Sequence, residues 1–197
     1  MIKMYYVLKH LKRENNLYIE PEIESSYRKN NLGYTIYETI LKLKPKVVID
    51  FGILHGYSIV TIAQALRDLD NGGKVIGYDL FEGYKYKNSI KNVVNKNIIE
   101  YDVVNFVELR YGNFYKWVEN PDEFDILHLD ISNNGDIIEL ADKKLPNKTI
   151  LFEGGSEERD KVEWMTEYNF KLIYPLKDKI NYKILNKTWP SISGIRV

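Results

Sequence analysis

Short apolar runs recur along the chain with room for a helix between successive ones, and this alternation restricts the possible folds more than any other feature. The runs occupy residues 46–52 (KVVIDFG), 74–80 (KVIGYDL), 105–110 (NFVELR), 124–130 (FDILHLD), 148–153 (KTILFE) and 170–174 (FKLIY). They are β-branched and nearly continuous, as strands buried on both faces are. Between the first two, Ile59, Ile62, Ala63, Leu66 and Leu69 fall on one helical face, and the segment stops at the helix-ending turn Asn71-Gly72-Gly73. Strand, helix and strand here make a βαβ unit.

Farther along, Ile137, Leu140, Ala141 and Leu145 repeat the helical spacing before Pro146, and Ser156 followed by Glu157 and Glu158 has the form of a capped helix start. Ahead of the first strand, Ile36, Tyr37, Ile40 and Leu41 form a stripe ended by Lys44-Pro45, and residues 4–11 are expected to be helical as well. Residues 1–44 are therefore expected to form a helical cover on a core at 45–197, the whole being one domain. Residues 182–185 and 192–197 read as two further strands joined through Trp189-Pro190. Such a chain builds a doubly wound α/β sheet, whose ligands bind beyond the carboxyl ends of the strands.

Charge and cysteine content narrow the function. Lys and Arg number 28 against 28 Asp and Glu, which leaves no global excess to attract phosphates or anionic lipid. The expected partner is a small molecule rather than nucleic acid or a membrane, with the chain a monomer or homodimer. The absence of cysteine removes disulfides, zinc–thiolate sites, iron–sulfur ligation and thiolate nucleophiles. It suits a cytoplasmic protein. The start, MIKMYYVLKHLKREN, scatters Lys3, Lys9, Lys12 and Arg13 among its apolar residues, unlike a signal peptide or membrane span.

The loop after the first strand reads Asp50-Phe51-Gly52-Ile53-Leu54-His55-Gly56-Tyr57-Ser58. Gly52 permits a sharp turn and close ligand approach, and Gly56 opens the following helix. The spacing G-x-x-x-G, with Leu54 at the middle position, disfavours the G-x-G-x-x-G pyrophosphate cradle. This loop instead resembles motif I of class I S-adenosylmethionine-dependent methyltransferases, especially the E-x-G-x-x-x-G-Y-S form of the catechol-type O-methyltransferases. Y-D-L-F-E-G at residues 78–83 is similar to a stretch of the macrolide-sugar O-methyltransferases of the same superfamily.

The resemblance implies a Rossmann-like, mainly parallel seven-stranded sheet with helices on both faces and an antiparallel last strand. It implies transfer of a methyl group from S-adenosylmethionine to a hydroxyl of a phenol or sugar. Gly52 and Gly56 then line the methionine portion, Ser58 with its backbone amide holds the cofactor carboxylate, Asp50 orders the loop, and Tyr57 is a further cofactor-binding residue. Asp79 and Leu80 meet ribose and adenine, while Asn113 and Phe114 meet the adenine, with Asn113 replacing the usual acid. Asp130 sits beside the sulfonium.

In metal-dependent relatives the acid corresponding to Asp130 binds Mg²⁺ together with an acid and a following Asn or Asp after the fifth strand. Here that pair reads Glu153-Gly154. Two oxygen ligands remain, and Mg²⁺ can complete its octahedron with water and substrate oxygens. The lysine base of the catechol-type enzymes is replaced by Asn133. Asp130, Glu153 and His55 are the candidate catalytic residues, Glu153 because partial burial favours a carboxylate base. Gly154-Gly155-Ser156 with Arg159 has the form of an anion site, opposed by Glu157 and Glu158. Trp117, Trp164 and Trp189 are read as packing.

Two other classes stay open on the sequence: a non-catalytic S-adenosylmethionine-binding protein, and an NAD-dependent oxidoreductase on a similar sheet. Cytosine C5 methylation needs the missing cysteine, and no adenine-methylation N/D-P-P-Y/W motif occurs.

Overall fold

The computed structural model describes residues 18–83 and 89–197. The expected helix at 4–11, with His10, lies outside the described residues. Five strands, β1 (Val47–Phe51), β2 (Lys74–Asp79), β3 (Val107–Tyr111), β4 (Ile126–Leu129) and β5 (Thr149–Glu153), run parallel. β6 (Tyr182–Asn186) and β7 (Ile192–Ile195) complete a sheet ordered β3-β2-β1-β4-β5-β7-β6, with β7 antiparallel to both its neighbours. Strand order reverses between β1 and β4, and that switch point opens a crevice at their carboxyl ends.

Helices cover both faces because the central strands are apolar on both. Val48 packs with α1 (Leu32–Leu43) and α2 (Tyr57–Leu69), while Ile49 and Phe51 pack with α4 (Phe114–Trp117) and α5 (Gly135–Lys144). The stripes at Ile36 and Ile40 and at Ile59, Ile62 and Leu66 are fully buried, as their spacing requires. The chain ahead of α1 lies on the α2 face, where Ile19, Ile23 and Tyr27 enter the core.

Three features depart from the sequence expectation. α3 (Lys91–Glu100) carries no clear stripe, since only Val94 and Ile98, one helical turn apart, are buried. Ser156 does cap a helix, but α6 (Glu157–Asp160) is a single turn, followed by α7 (Glu163–Glu167) and later α8 (Lys177–Ile180). Residues 170–174 are not a strand: β7 takes the place beside β5, and the amides of Ile173 and Tyr174 donate to the Asp160 carboxylate at 2.8 and 2.5 Å. Among the described residues, no helix is long and apolar enough to cross a membrane.

Candidate active site

A cleft of about 520 Å³ lies at the carboxyl ends of β1 to β4. Its first half is held open by backbone geometry. Gly52 adopts φ +89°, and a Cβ there would lie 1.8 Å from the carbonyl oxygen of Asp130, so only glycine lets the β1 and β4 loops touch. Gly56, at φ +99°, caps α2. Asp79 ties two loops together: one oxygen accepts from the amides of Ile53 and Leu54 at 2.8 and 3.3 Å, the other from Phe81 at 2.7 Å. Asn113 caps α4, accepting from Tyr115 at 2.9 Å. Phe51 and Tyr78 stack at 4.9 Å to form an aromatic floor, and Phe114 meets Phe51 edge-on at 5.5 Å. Ser89 lines the same half with a buried hydroxyl that has no partner among the described residues.

The second half is held by charged side chains. Asp130 is half-buried on the cleft wall, and burial, with Glu153 next, pushes its carboxyl well above the usual carboxylate range. Behind it lies a chain of buried polar groups. Ser58 donates to Asp50 at 2.8 Å, Asp50 meets His128 Nδ1 at 2.7 Å, and His128 Nε2 lies 3.4 Å from the Tyr27 hydroxyl. Burial alone lowers the imidazole, but the Asp50 carboxylate outweighs it and His128 stays above its ordinary value. Tyr27 is fully buried, which raises its phenol well above normal, with Asp130 and Glu153 adding to the shift.

On the other side, Glu153 accepts from Arg159 Nε and Nη2 at 3.2 and 3.0 Å through one oxygen, and from Ser26 at 3.2 Å through the other. Arg159 is buried, with its guanidinium 4.8 Å from the Trp164 ring centre.

Of the expected site residues, Gly52, Asp79, Leu80, Asn113, Phe114 and Asp130 line this cleft together. The others do not. The Ser58 hydroxyl turns inward to Asp50, and Asp50 is itself sealed in the core. The Tyr57 hydroxyl accepts from the Gly33 amide at 3.0 Å and donates to Glu20, facing the N-terminal segment. His55 lies outside the cleft wall; its Nδ1 is buried without a partner, and its carbonyl accepts from Asn97 on α3 at 2.8 Å.

Both Glu153 oxygens are engaged, one by Arg159 and the other by Ser26. Asn133 keeps one buried oxygen unpaired, yet among the described residues no three His, Cys, Asp or Glu side chains gather to hold a metal. The expected anion site fails because Arg159 is neutralised by Glu153 and the Gly155 amide donates to Asp160 at 3.3 Å.

Sequence reasoning assigned no role to Ser26, Tyr27, Ser89 or His128, and read Trp164 as packing. His128 carried a signal, a polar residue inside an otherwise apolar buried strand. Ser26 and Tyr27 carried none, because only the fold brings the N-terminal segment to β4.

A family model described as a methyltransferase domain matches residues 49–152, more than half of the chain. No curated protein matches in sequence. Among solved structures, an O-methyltransferase from Bacillus cereus in complex with SAH is 17% identical, with TM-score 0.60 over 99% of this chain and 90% of that one. An O-methyltransferase from Streptomyces achromogenes involved in tomaymycin synthesis, in complex with SAM, is 14% identical, with TM-score 0.61 over 93% of this chain and 85% of that one. An SAH-bound methyltransferase from Podospora anserina is 18% identical, with TM-score 0.58 over 88% and 79%. At these identities the likeness is one of fold.

Proposed function

This chain belongs to the methyltransferase-domain family, and from that premise we propose that it transfers a methyl group from S-adenosylmethionine to a hydroxyl of a small molecule. The observation that carries the reading is the single cleft with Asp79 on one wall and Asp130 on another, at the switch point of the sheet. Its volume of about 520 Å³ suits a ligand of nucleoside size. The orphan hydroxyl of Ser89 supports a polar ligand, since a buried hydroxyl without a partner is costly.

When bound, S-adenosylmethionine supplies an electrophilic methyl group on a sulfonium whose sulfur leaves with the bonding electron pair. Asp79, already fixed by three backbone amides, keeps lone pairs for two ribose hydroxyls. Phe51, Tyr78 and Phe114 give an aromatic wall for the adenine, with Asn113 and Leu80 at its edge. Asp130 is the base: its carboxylate takes the proton of the acceptor hydroxyl as the oxygen bonds to the methyl carbon. The raised carboxyl makes Asp130 a stronger base than an ordinary aspartate. A phenol, with a pKa of about 10 as in tyrosine, lies nearer its reach than an aliphatic sugar hydroxyl. The segment before β1 closes the acceptor side, through Ser26 on the wall and Tyr27 behind Asp130.

Calorimetry with S-adenosylmethionine, S-adenosylhomocysteine and NAD tests the cofactor. Binding of the first two without NAD is expected, and NAD binding alone would overturn the reading. A mass-shift screen of phenols, sugars and acyl carriers should then find a product heavier by one CH₂. Cofactor binding with no product from any class would favour the non-catalytic alternative.

A further inference from the structure

Glu153 ends β5 behind Ser26 of the cleft wall, with only 9% of its surface exposed. A buried carboxylate needs a counter-charge. In the metal-dependent enzymes that the sequence resembles, a divalent ion provides it, helped by the amide or acid that follows. Here the following residue is Gly154, held at φ +106°, and a Cβ there would press to 3.3 Å on both Arg159 Nε and an Asp160 carboxylate oxygen. A side chain at position 154 would thus crowd Ile173, Arg159 and Asp160 together, and the missing ligand and the buried guanidinium share one small space.

We infer that Arg159 is the resident cation of the acceptor site, standing in for a divalent metal by neutralising Glu153. Its donors are spent for that purpose. Nε and Nη2 both reach one Glu153 oxygen, and Nη1 donates to the carbonyl of Asn133 at 3.3 Å and stands 3.8 Å from Asp160. The planar fork suits this geometry better than a lysine would. Trp164, which lines the cleft, lies against the guanidinium and separates its charge from the ligand space by one ring. A divalent ion beside Glu153 would meet this fixed positive charge at the distance of direct contact, where repulsion is strongest.

The inference rests on the methyl-transfer reading for its meaning, because a metal would otherwise not be expected at Glu153.

Mn²⁺ titration followed by electron paramagnetic resonance tests the assignment without turnover. The samples are the whole chain saturated with S-adenosylhomocysteine, whose binding is measured by calorimetry on the same preparations, so that a failed cofactor reading is seen separately. Wild type and Arg159→Lys should leave the free Mn²⁺ signal unchanged. Arg159→Gln should remove one equivalent of Mn²⁺ per chain, and adding Glu153→Gln should restore the free signal. Depletion by wild type that Glu153→Gln abolishes would overturn the inference, as would a folded, S-adenosylhomocysteine-binding Arg159→Gln that takes up no Mn²⁺. If Arg159→Gln does not fold, the comparison of wild type with Glu153→Gln still decides.

Discussion

The cleft half formed by the loops after β1, β2 and β3 is positioned by backbone, and the half formed by β4, β5 and the N-terminal segment by buried charge. At the first, Gly52 brings two loops into contact and Asp79 gathers three amides. At the second, Asp50, His128, Glu153, Arg159 and Asp160 compensate one another out of water behind the half-buried Asp130. The contrast follows from the tasks proposed for them. Recognition of a constant cofactor needs a fixed shape, and backbone turns supply one at little side-chain entropy cost. Proton removal from an acceptor needs a carboxylate with altered basicity, and only low dielectric and neighbouring charges provide that.

Asp130→Asn is the sharpest way to separate the halves. Loss of the base should lower turnover about 10²- to 10⁴-fold, the usual worth of general base catalysis. Cofactor affinity, measured by calorimetry with S-adenosylhomocysteine, should change far less. Equal losses in both would assign Asp130 to cofactor binding and erase the division.

Gly52→Ala attacks the other half. The new methyl would sit 1.8 Å from a carbonyl oxygen, so the β1 and β4 loops must part. A strained left-handed residue alone costs roughly 1–3 kcal/mol, and cofactor affinity should fall by about 10- to 100-fold. Asp79→Asn should do less, about tenfold, because one oxygen still accepts from backbone amides. An acceptor KM that moves while cofactor affinity stays constant would break the comparison in either variant.

How far each half could be read from sequence follows the same line. Gly52, Gly56 and Asp79 act through turns a few residues long, so their spacing in D-F-G-I-L-H-G-Y-S and G-Y-D-L-F-E-G exposes them directly. The strands and the stripes of α1 and α2 were legible for a related reason, since burial imposes a period on neighbouring residues. Ser26 and Tyr27 reach Glu153 and Asp130 across more than one hundred positions of chain, and no local pattern encodes that meeting. Ser58 shows that motif spacing locates a residue on the loop without saying which way its hydroxyl turns. The run at 170–174 misled because an apolar run also serves as a buried connection, once a side chain such as Asp160 satisfies its amides.

The smallest effect is also the most specific to the charged half. His128 has its proton affinity raised in the folded state by Asp50, and it faces Tyr27, Asp130 and Glu153 as well. A raised folded-state value means that folding favours the protonated imidazole. The stabilisation is complete below the ordinary histidine value of about 6.5 and is lost as pH rises through the higher folded-state value. Asp130, also raised, has the same sign from a lower starting point, as folding favours its protonated form and that contribution fades with increasing pH. Urea denaturation should therefore show stability falling as pH rises above the ordinary histidine value of about 6.5. His128→Gln should flatten that decline while leaving cofactor affinity unchanged. A slope that persists in His128→Gln would move its origin outside the Asp50–His128 pair, and a variant that loses cofactor affinity would show that the two halves share this buried chain.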